Sequence, residues 1–300
     1  MKKTARMGEK SLSLSNLDKD LYPSFGFTKA HILEYYRRVS PYILPHLKDR
    51  ALTLKRYPDG VEGDFFFEKR CPRYRPPWVT TADIPQSGGE TMTVCLVNDL
   101  DTLIWVGNLA SLELHVPMAR ASSPEVPDFM VFDLDPGEGM TVLDCAYVAL
   151  ILRKVLKDLK LESYLKTSGK KGLHVYVPLN NKDVTFDDTK RFSRTVAEVM
   201  QRNYPDSITA MMAKGTRKGK IFINWAQNGT SNTTVCVYSL RAAPEPAVST
   251  PLAWDEVDSL SQQGEPDDLT FIFSQVVERC EKHGDLFADV LKRKQSLPYF

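Results

Sequence analysis

The segment FMVFDLDPGEG, residues 129–139, constrains what this chain can fold into more than any other stretch. Its short apolar run stops at Pro136 and Gly137, the pattern of a strand running into a turn. Side chains alternate along a strand, so Asp133 and Asp135 project from one face while Leu134 points into a core. Thr141 then caps an amphipathic helix, TVLDCAYVALILRKVLKDL, with Asp144 at capping-box spacing.

Strands and helices interleave on both sides of this unit. Upstream, Thr28 is the expected N-cap of a helix whose apolar face is Ile32, Leu33, Tyr35, Tyr36 and Val39, ending near Ser40-Pro41. ALTLKRYP, the FFF run and TMTVCLV read as strands, with CPRYRPPWV an ordered loop between them. Residues 99–115 read as helix into strand, and 124–128 as a turn-rich junction. Downstream come two strands around a glycine turn (ESYLKTSGKKGLHVYVPL), a helix over 186–203, strands in KGKIFINWAQN and TTVCVYSLRA, and a helix near 269–283. This order predicts α/β (α+β) architecture. Residues 1–10 read as a mobile basic tail. Residues 11–300 read as one domain of two lobes, about 11–123 and 124–300.

Composition narrows the setting. With 39 basic and 38 acidic residues the net charge is only +1, so an anionic partner would need positive charge concentrated locally. The five cysteines are scattered, with no C-x-x-C and no zinc-ligand spacing, so no zinc is expected. Cys95 and Cys236 sit in strand-like apolar runs and read as buried thiols, which suits a reducing cytoplasm. No apolar segment follows the basic start, and none approaches the ~20 residues of a membrane span. The expectation is a soluble, cytoplasmic protein.

Two carboxylates as close as Asp133 and Asp135 repel one another unless a cation neutralises them, and hard oxygen ligands suit Mg²⁺ or Mn²⁺. D-x-D is common, and its bland reading is a pair of surface aspartates closing a strand. In KTSGKKGLHVYVPL, Leu173, Val175, Val177 and Leu179 alternate inward and leave His174 and Tyr176 on the other face. The 168–172 turn offers a hydroxyl, backbone N–H groups and ammonium charge, the parts of a phosphate cradle, although it is no Walker A loop. Seen alone it is a glycine hairpin with solvated lysines. In KIFINWAQN, Asn224 falls on the strand face opposite Ile223.

FDLDPGEG, KTSGKKGLHVYVPL, KIFINWAQN and VYSLRAAPEPAVSTPLAWDE together resemble the polymerase domain of bacterial ligase D and its stand-alone archaeal relatives. These belong to the archaeo-eukaryotic primase superfamily and fill gaps in non-homologous end joining. The resemblance spans residues 12–256, including SNLDKDLYP, LKRYPDG and ASLELHVP. It implies a two-lobed primase-like fold with an RRM-like catalytic sheet, and two divalent cations, Mn²⁺ or Mg²⁺. Asp133 and Asp135 match the metal-binding aspartates. Ser168, Gly169, Lys171 and His174 match the turn at the nucleotide's phosphates, and Arg241 a phosphate-binding arginine. His115 matches a histidine at the nucleotide sugar, consistent with a preference for ribonucleotides. Asn16, Lys19 and Lys29 match the pocket for a 5′-phosphate across a gap. Phe66 and Phe67 match aromatics that stack on the template. Lys55 and Arg56 look like nucleotide and DNA contacts, and Arg217, in the mobile KGTRKGK segment, a template contact. The bland readings are a core strand for FFF, solvated charges for Lys19 and Lys29, and a floppy basic loop around Arg217.

The implied partners are NTPs, gapped or 3′-overhanging DNA with a 5′-phosphate, a Ku-like protein and a DNA ligase, with a synapsed pair on DNA plausible and the setting a prokaryotic nucleoid. One position departs from the family pattern: Asn224 stands where the family has a third aspartate. The amide keeps shape but loses a negative charge, so nucleotide binding is expected to survive and catalysis to be impaired. Replacement to trap a complex and a natural amide are both open, the former favoured. The competing functions are a primase that starts chains de novo, a non-catalytic module bridging DNA ends and, last, a metal-dependent nuclease.

Overall fold

A computed structural model of the chain describes residues 2–7, 10–86 and 88–298. The chain divides into two units, Met1–Ser122 with Thr233–Val248 and Ile272–Gly284, and Ser123–Asn232 with Ser249–Phe271 and Asp285–Phe300. The first boundary, after Ser122, lies just before the 124–128 stretch read as a turn-rich junction, most of which is instead strand Ser123–Pro127. The second lobe is not continuous to the C-terminus, however, because two later segments return to the first unit. Strand Thr233–Val235 pairs antiparallel with Ser111–Pro117, and helix Phe273–His283 packs against helix Lys29–Leu47. Val276, Val277 and Cys280 are the apolar stripe that this packing buries.

In the first unit, a four-stranded sheet runs in the order Thr233–Val235, Ser111–Pro117, Thr53–Arg56, Phe66–Glu68. Helix Lys29–Leu47 continues through Pro41 and Pro45, past the expected stop. Buried Ile43, His46 and Leu47 extend its apolar face, and packing outweighs the backbone bonds that the prolines forfeit. The Nδ1 of His31 accepts the Thr28 N–H at 3.0 Å and so helps close the helix start. The expected mobile tail is corrected in part. Lys2–Met7 is a strand paired antiparallel with Lys10–Ser15, which supplies its backbone partners, whereas Met1, Gly8 and Glu9 lie outside the described residues. The buried-thiol expectation for Cys95 is also corrected: Cys95 is bonded to Cys71. The Cys71 N–H donates to the Thr93 carbonyl at 2.8 Å, which lays the loop beside the strand and brings the two Cα atoms to 5.0 Å. Cys145, Cys236 and Cys280 are free and buried.

The second unit is built on a six-stranded sheet. Its central strand, Phe129–Pro136, lies antiparallel to Leu173–Pro178 on one edge and to Ile221–Asn224 on the other. Tyr164–Thr167 and Pro251–Leu252 extend one side, and Ile208–Thr209 the other, in parallel. Helix Val142–Asp158 starts as its sequence requires, with Thr141 Oγ1 accepting the Leu143 N–H and Asp144 Oδ2 accepting the Thr141 N–H. Phe186–Asn203 repeats this with Thr185 and Asp188. Helix Trp254–Gln263 lies where no element was expected, and the last helix begins at Phe273, after a short 3₁₀ turn over Pro266–Leu269. Among the described residues, no helix is long and apolar enough to cross a membrane.

Strand Ile221–Asn224 is shorter than KGKIFINWAQN suggested, since Trp225–Asn228 turns into a 3₁₀ helix. Buried Asn228 replaces the missing strand. Its Oδ1 accepts the Val131 N–H and its Nδ2 donates to the Val131 carbonyl, both at 2.8 Å, so a side-chain amide finishes the ladder. Asn228→Leu leaves both Val131 groups unpaired and is expected to cost about 2–4 kcal/mol of unfolding free energy. Urea unfolding measures this; a loss below about 1 kcal/mol would mean that other groups satisfy Val131.

Candidate functional site

The register of the six-stranded sheet lines up the side chains that the sequence singled out. Asp133 is paired with Asn224 on one neighbouring strand and with His174 on the other, and His174 is paired in turn with Lys166. One row, Asn224–Asp133–His174–Lys166, therefore crosses four strands on one face. Asn224 Nδ2 donates to Asp133 Oδ2 at 3.3 Å, and His174 Nε2 lies 3.3 Å from Asp133 Oδ1. Lys166 Nζ lies 3.0 Å from His174 Nδ1 and donates to Ser249 Oγ at 2.7 Å. An ammonium can only donate, so His174 Nδ1 accepts and the ring proton sits on Nε2, towards Asp133. Sequence reading missed Lys166. It is fully buried, and its only signal was a lysine placed across from His174 in the hairpin.

Two glycines let other segments reach this row. A Cβ on Gly172 would stand 2.2 Å from the Leu134 carbonyl oxygen, so only glycine lets the 168–172 turn lie on the central strand between the two aspartates. A Cβ on Gly137 would stand 1.7 Å from the Arg217 carbonyl oxygen, which admits the 214–220 segment beside the DPGEG turn. That segment is not the floppy loop of the bland reading. Gly137 N–H donates to the Lys220 carbonyl and Gly219 N–H to the Glu138 carbonyl, both at 2.9 Å. Arg217 stacks on Phe222, its guanidinium 3.6 Å from the ring centroid, and donates to the Met212 carbonyl.

The turn itself is less open than a bare cradle. Ser168 Oγ accepts the N–H groups of Lys170 (3.2 Å) and Gly172 (3.1 Å), and the Ser168 N–H donates to the Gly172 carbonyl. Those three amides are therefore spent holding the turn, with Gly169 in the left-handed region at φ 72°. The Ser168 hydroxyl proton and the exposed ammonium of Lys171 remain to meet an anion.

The two aspartates are pushed apart electrostatically. Burial, and then the charge of Asp133, push the Asp135 carboxyl up to about 6, with Arg217 opposing. Burial raises Asp133 as well, but the Nε2–H of His174, the Asn224 amide and the Lys166 ammonium more than offset it, and Asp133 stays below its usual range. A strained carboxylate pair is a fit donor set for a hard divalent cation. No group of three or more His, Cys, Asp or Glu side chains among the described residues is arranged to hold a metal, and at this row the third position carries the Asn224 amide.

The first unit holds the remaining candidates. Glu113, 1% exposed and missed by the sequence reading, is bonded to His115 Nε2 at 2.9 Å and accepts the Ala242 N–H at 3.1 Å. Arg241 lies 3.6 Å from the same carboxylate and Lys55 3.9 Å. Burial holds His115 below its usual range despite Glu113. Its signal was the E-x-H spacing in SLELHVP, which puts both side chains on one strand face. Phe65, Phe66 and Phe67 are all about half exposed, against the core-strand reading, Phe66 and Phe67 on the edge strand of their sheet and Phe65 just before it. Arg56 stacks on Phe66 and bonds Glu68, Tyr74 and the Leu109 carbonyl. Asn16 is exposed, at φ 53°, in the turn whose carbonyl accepts the Lys19 N–H. Lys19 pairs with Asp59 at 2.7 Å. Lys29 is buried rather than solvated, with its ammonium on the Ser15 and Asn108 carbonyls. Burial, then the charges of Lys19 and Arg56, lower its pKa, which marks a concentration of positive charge at this helix start.

Comparison with known proteins gives the family. The model of the LigD primase-polymerase domain matches residues 28–287. The multifunctional non-homologous end joining protein LigD of Mycolicibacterium smegmatis is 39% identical over 277 residues, 92% of this chain and 35% of that protein. The bifunctional LigD of Bacillus subtilis is 32% identical over 287 residues, 96% of this chain and 45% of that protein. The chain thus spans less than half the length of these relatives. Among solved structures, the polymerase domain from Mycobacterium tuberculosis ligase D in complex with DNA superposes with a TM-score of 0.86 at 34% identity, covering 95% of this chain and 99% of that one. With the family model matching residues 28–287 and relatives aligned over more than nine-tenths of its length, this chain belongs to the LigD primase-polymerase domain family.

Proposed function

We propose that this chain is a DNA-dependent nucleotidyltransferase that fills short gaps at double-strand breaks in non-homologous end joining, with ribonucleotides preferred. The carrying observation is the cross-strand row of Asn224, Asp133, His174 and Lys166, with Asp135 two residues along and the Ser168 turn laid against it. Relatives named for end joining and a similar domain solved with DNA support the reading. In the reaction a primer 3′-hydroxyl attacks the α-phosphate of an NTP; a P–O bond forms, the bond to the β-phosphate bridge breaks, and pyrophosphate leaves. Asp133 and Asp135 would hold Mn²⁺ or Mg²⁺, which supply charge neutralisation to the hydroxyl and the triphosphate. Ser168, Lys171, His174 and Arg241 would hold phosphate oxygens, and His115 the sugar. Gapped DNA would meet Phe66, Phe67, Arg56 and Arg217 along the template, and its 5′-phosphate would meet Asn16, Lys19 and Lys29. A Ku-like protein and a ligase in the prokaryotic cytoplasm are the fitting partners.

Asn224 impairs the chemistry on this reading, since the row has an amide where a third carboxylate would share the cations' charge. Its bond to Asp133 is also the observation that favours a second reading, a non-catalytic module that bridges DNA ends.

Asn224→Asp replaces a hydrogen-bond donor with a carboxylate beside Asp133. The expected result is a lower melting temperature without divalent ion, recovery with Mn²⁺, and primer extension faster by about a hundredfold, the scale of one transition-state charge contact. Equal extension rates would remove the impairment, and no extension by either protein would favour the bridging module. Because the Asp135 carboxyl is raised to about 6, it carries a proton below that pH and must lose it to take a cation. Mn²⁺ affinity, by titration calorimetry, is therefore expected to be level above pH 6 and to fall about tenfold per pH unit below it. A flat profile would show that Asp135 is not a ligand. Binding to gapped DNA should be roughly tenfold tighter with the 5′-phosphate than without it, the scale of one charged hydrogen bond. Indifference to it would favour a primase.

A further inference from the structure

Glu113 is a buried carboxylate in the first unit that no motif accounts for. Its strand neighbour two residues on is His115, its cross-strand partner is Lys55, and the 236–242 segment brings Arg241 and the Ala242 N–H to the same carboxylate. Tyr57 also donates its hydroxyl to Oε1 at 3.4 Å. An uncompensated buried carboxylate would be costly, so every one of these groups is held where the carboxylate holds it. Three of them, Lys55, His115 and Arg241, are residues assigned above to the nucleotide.

The histidine carries the chemical consequence. A carboxylate only accepts, so the ring nitrogen 2.9 Å from Glu113 Oε2, Nε2, bears the proton. Burial disfavours the imidazolium, so the ring is neutral near pH 7 and Nδ1 keeps its lone pair. Such a ring can accept a hydrogen bond from a hydroxyl but gives nothing to a C–H. A ribose 2′-hydroxyl supplies that donor and a deoxyribose does not.

We propose that Glu113 is a positioning residue for sugar selection: it fixes His115 in the Nε2–H tautomer, so that Nδ1 is the acceptor that distinguishes a ribonucleotide from a deoxyribonucleotide. The inference rests on the reading of His115 as the sugar contact. Charge alone predicts something different. Glu113 sits among the cations Lys55 and Arg241, so a neutral side chain in its place makes the surroundings more positive and strengthens the attraction for any triphosphate, whichever sugar it carries.

The test is equilibrium binding of ATP and dATP, each with Mn²⁺, to the full chain and to Glu113→Met, Glu113→Gln, His115→Ala and the Glu113→Met/His115→Ala pair. The quantity read is the ratio of the two affinities, which a change in overall folding or charge does not move. The full chain is expected to prefer ATP, with the ratio falling about tenfold in Glu113→Met, the scale of one hydrogen bond to a hydroxyl. The double variant should lose no more than His115→Ala alone, because the two residues act as one unit. If Glu113→Met does not fold, as judged by thermal unfolding, the Gln variant gives the ratio, expected to lie below that of the full chain. A ratio unchanged in the Glu113 variants, or losses that add in the double variant, overturns the proposal. An unchanged ratio in His115→Ala, or no binding of either nucleotide by the full chain, instead overturns the reading beneath it, and the proposal falls with that reading.

Discussion

The register of the six-stranded sheet is the constraint on which the second unit depends. Because side chains alternate across a pleat, sliding Phe129–Pro136 by one residue against either neighbour would turn both aspartates to the opposite face. The apolar set prevents this: Met130, Phe132 and Leu134 on the central strand and Leu173, Val175 and Val177 on the next are fully buried. Hydrophobic burial thus fixes a polar row without contributing an atom to it. The row then orders itself from one end, since the Lys166 ammonium sets the His174 tautomer and His174 meets Asp133.

The same device recurs in the four-stranded sheet of the first unit. There Lys55 faces Glu113 and Thr53 faces His115 across paired strands, and strand Thr233–Val235 pairs along the other edge of Ser111–Pro117. In each sheet a buried group of one charge, Lys166 in one and Glu113 in the other, orients a histidine through the ring nitrogen it faces. The two histidines have mirrored roles: His174 accepts at Nδ1 and presents Nε2–H, and His115 donates from Nε2 and keeps Nδ1 as acceptor. Neither charge is solvated, so each is held by fixed dipoles and partners rather than by water. That fixity is what preorganises a binding group.

Close approach of backbone to backbone is the other recurring feature. Gly172 and Gly137 are sites where a methyl group would overlap a carbonyl oxygen, and through them the turn and the 214–220 segment reach the aspartate strand. Arg217 lowers the Asp135 carboxyl from beside it, so this segment takes part in the electrostatics of the pair as well as in its enclosure.

Local signals were strong enough to be read directly from the chain. The caps at Thr141 and Thr185, the strand stopped by Pro136, the glycine hairpin and the shared face of Asp133 and Asp135 follow from interactions within a few residues, and the motifs were specific enough to identify the family. What involves residues far apart in sequence was not legible. Helix Lys29–Leu47 runs through two prolines because its far turns are buried, Cys95 meets Cys71 because a loop is laid along its strand, and Asn228 completes a ladder that its own strand abandons. Lys166 and Glu113 escaped notice for the same reason: a charged residue in a strand looks solvated until its partners arrive from elsewhere. The sequence by itself determined most of the elements, the shared face of Asp133 and Asp135 and the amide at position 224, since these are matters of residue type and local period. Only the tertiary structure decided which buried charges orient the histidines, because that depends on which strands pair and in what register.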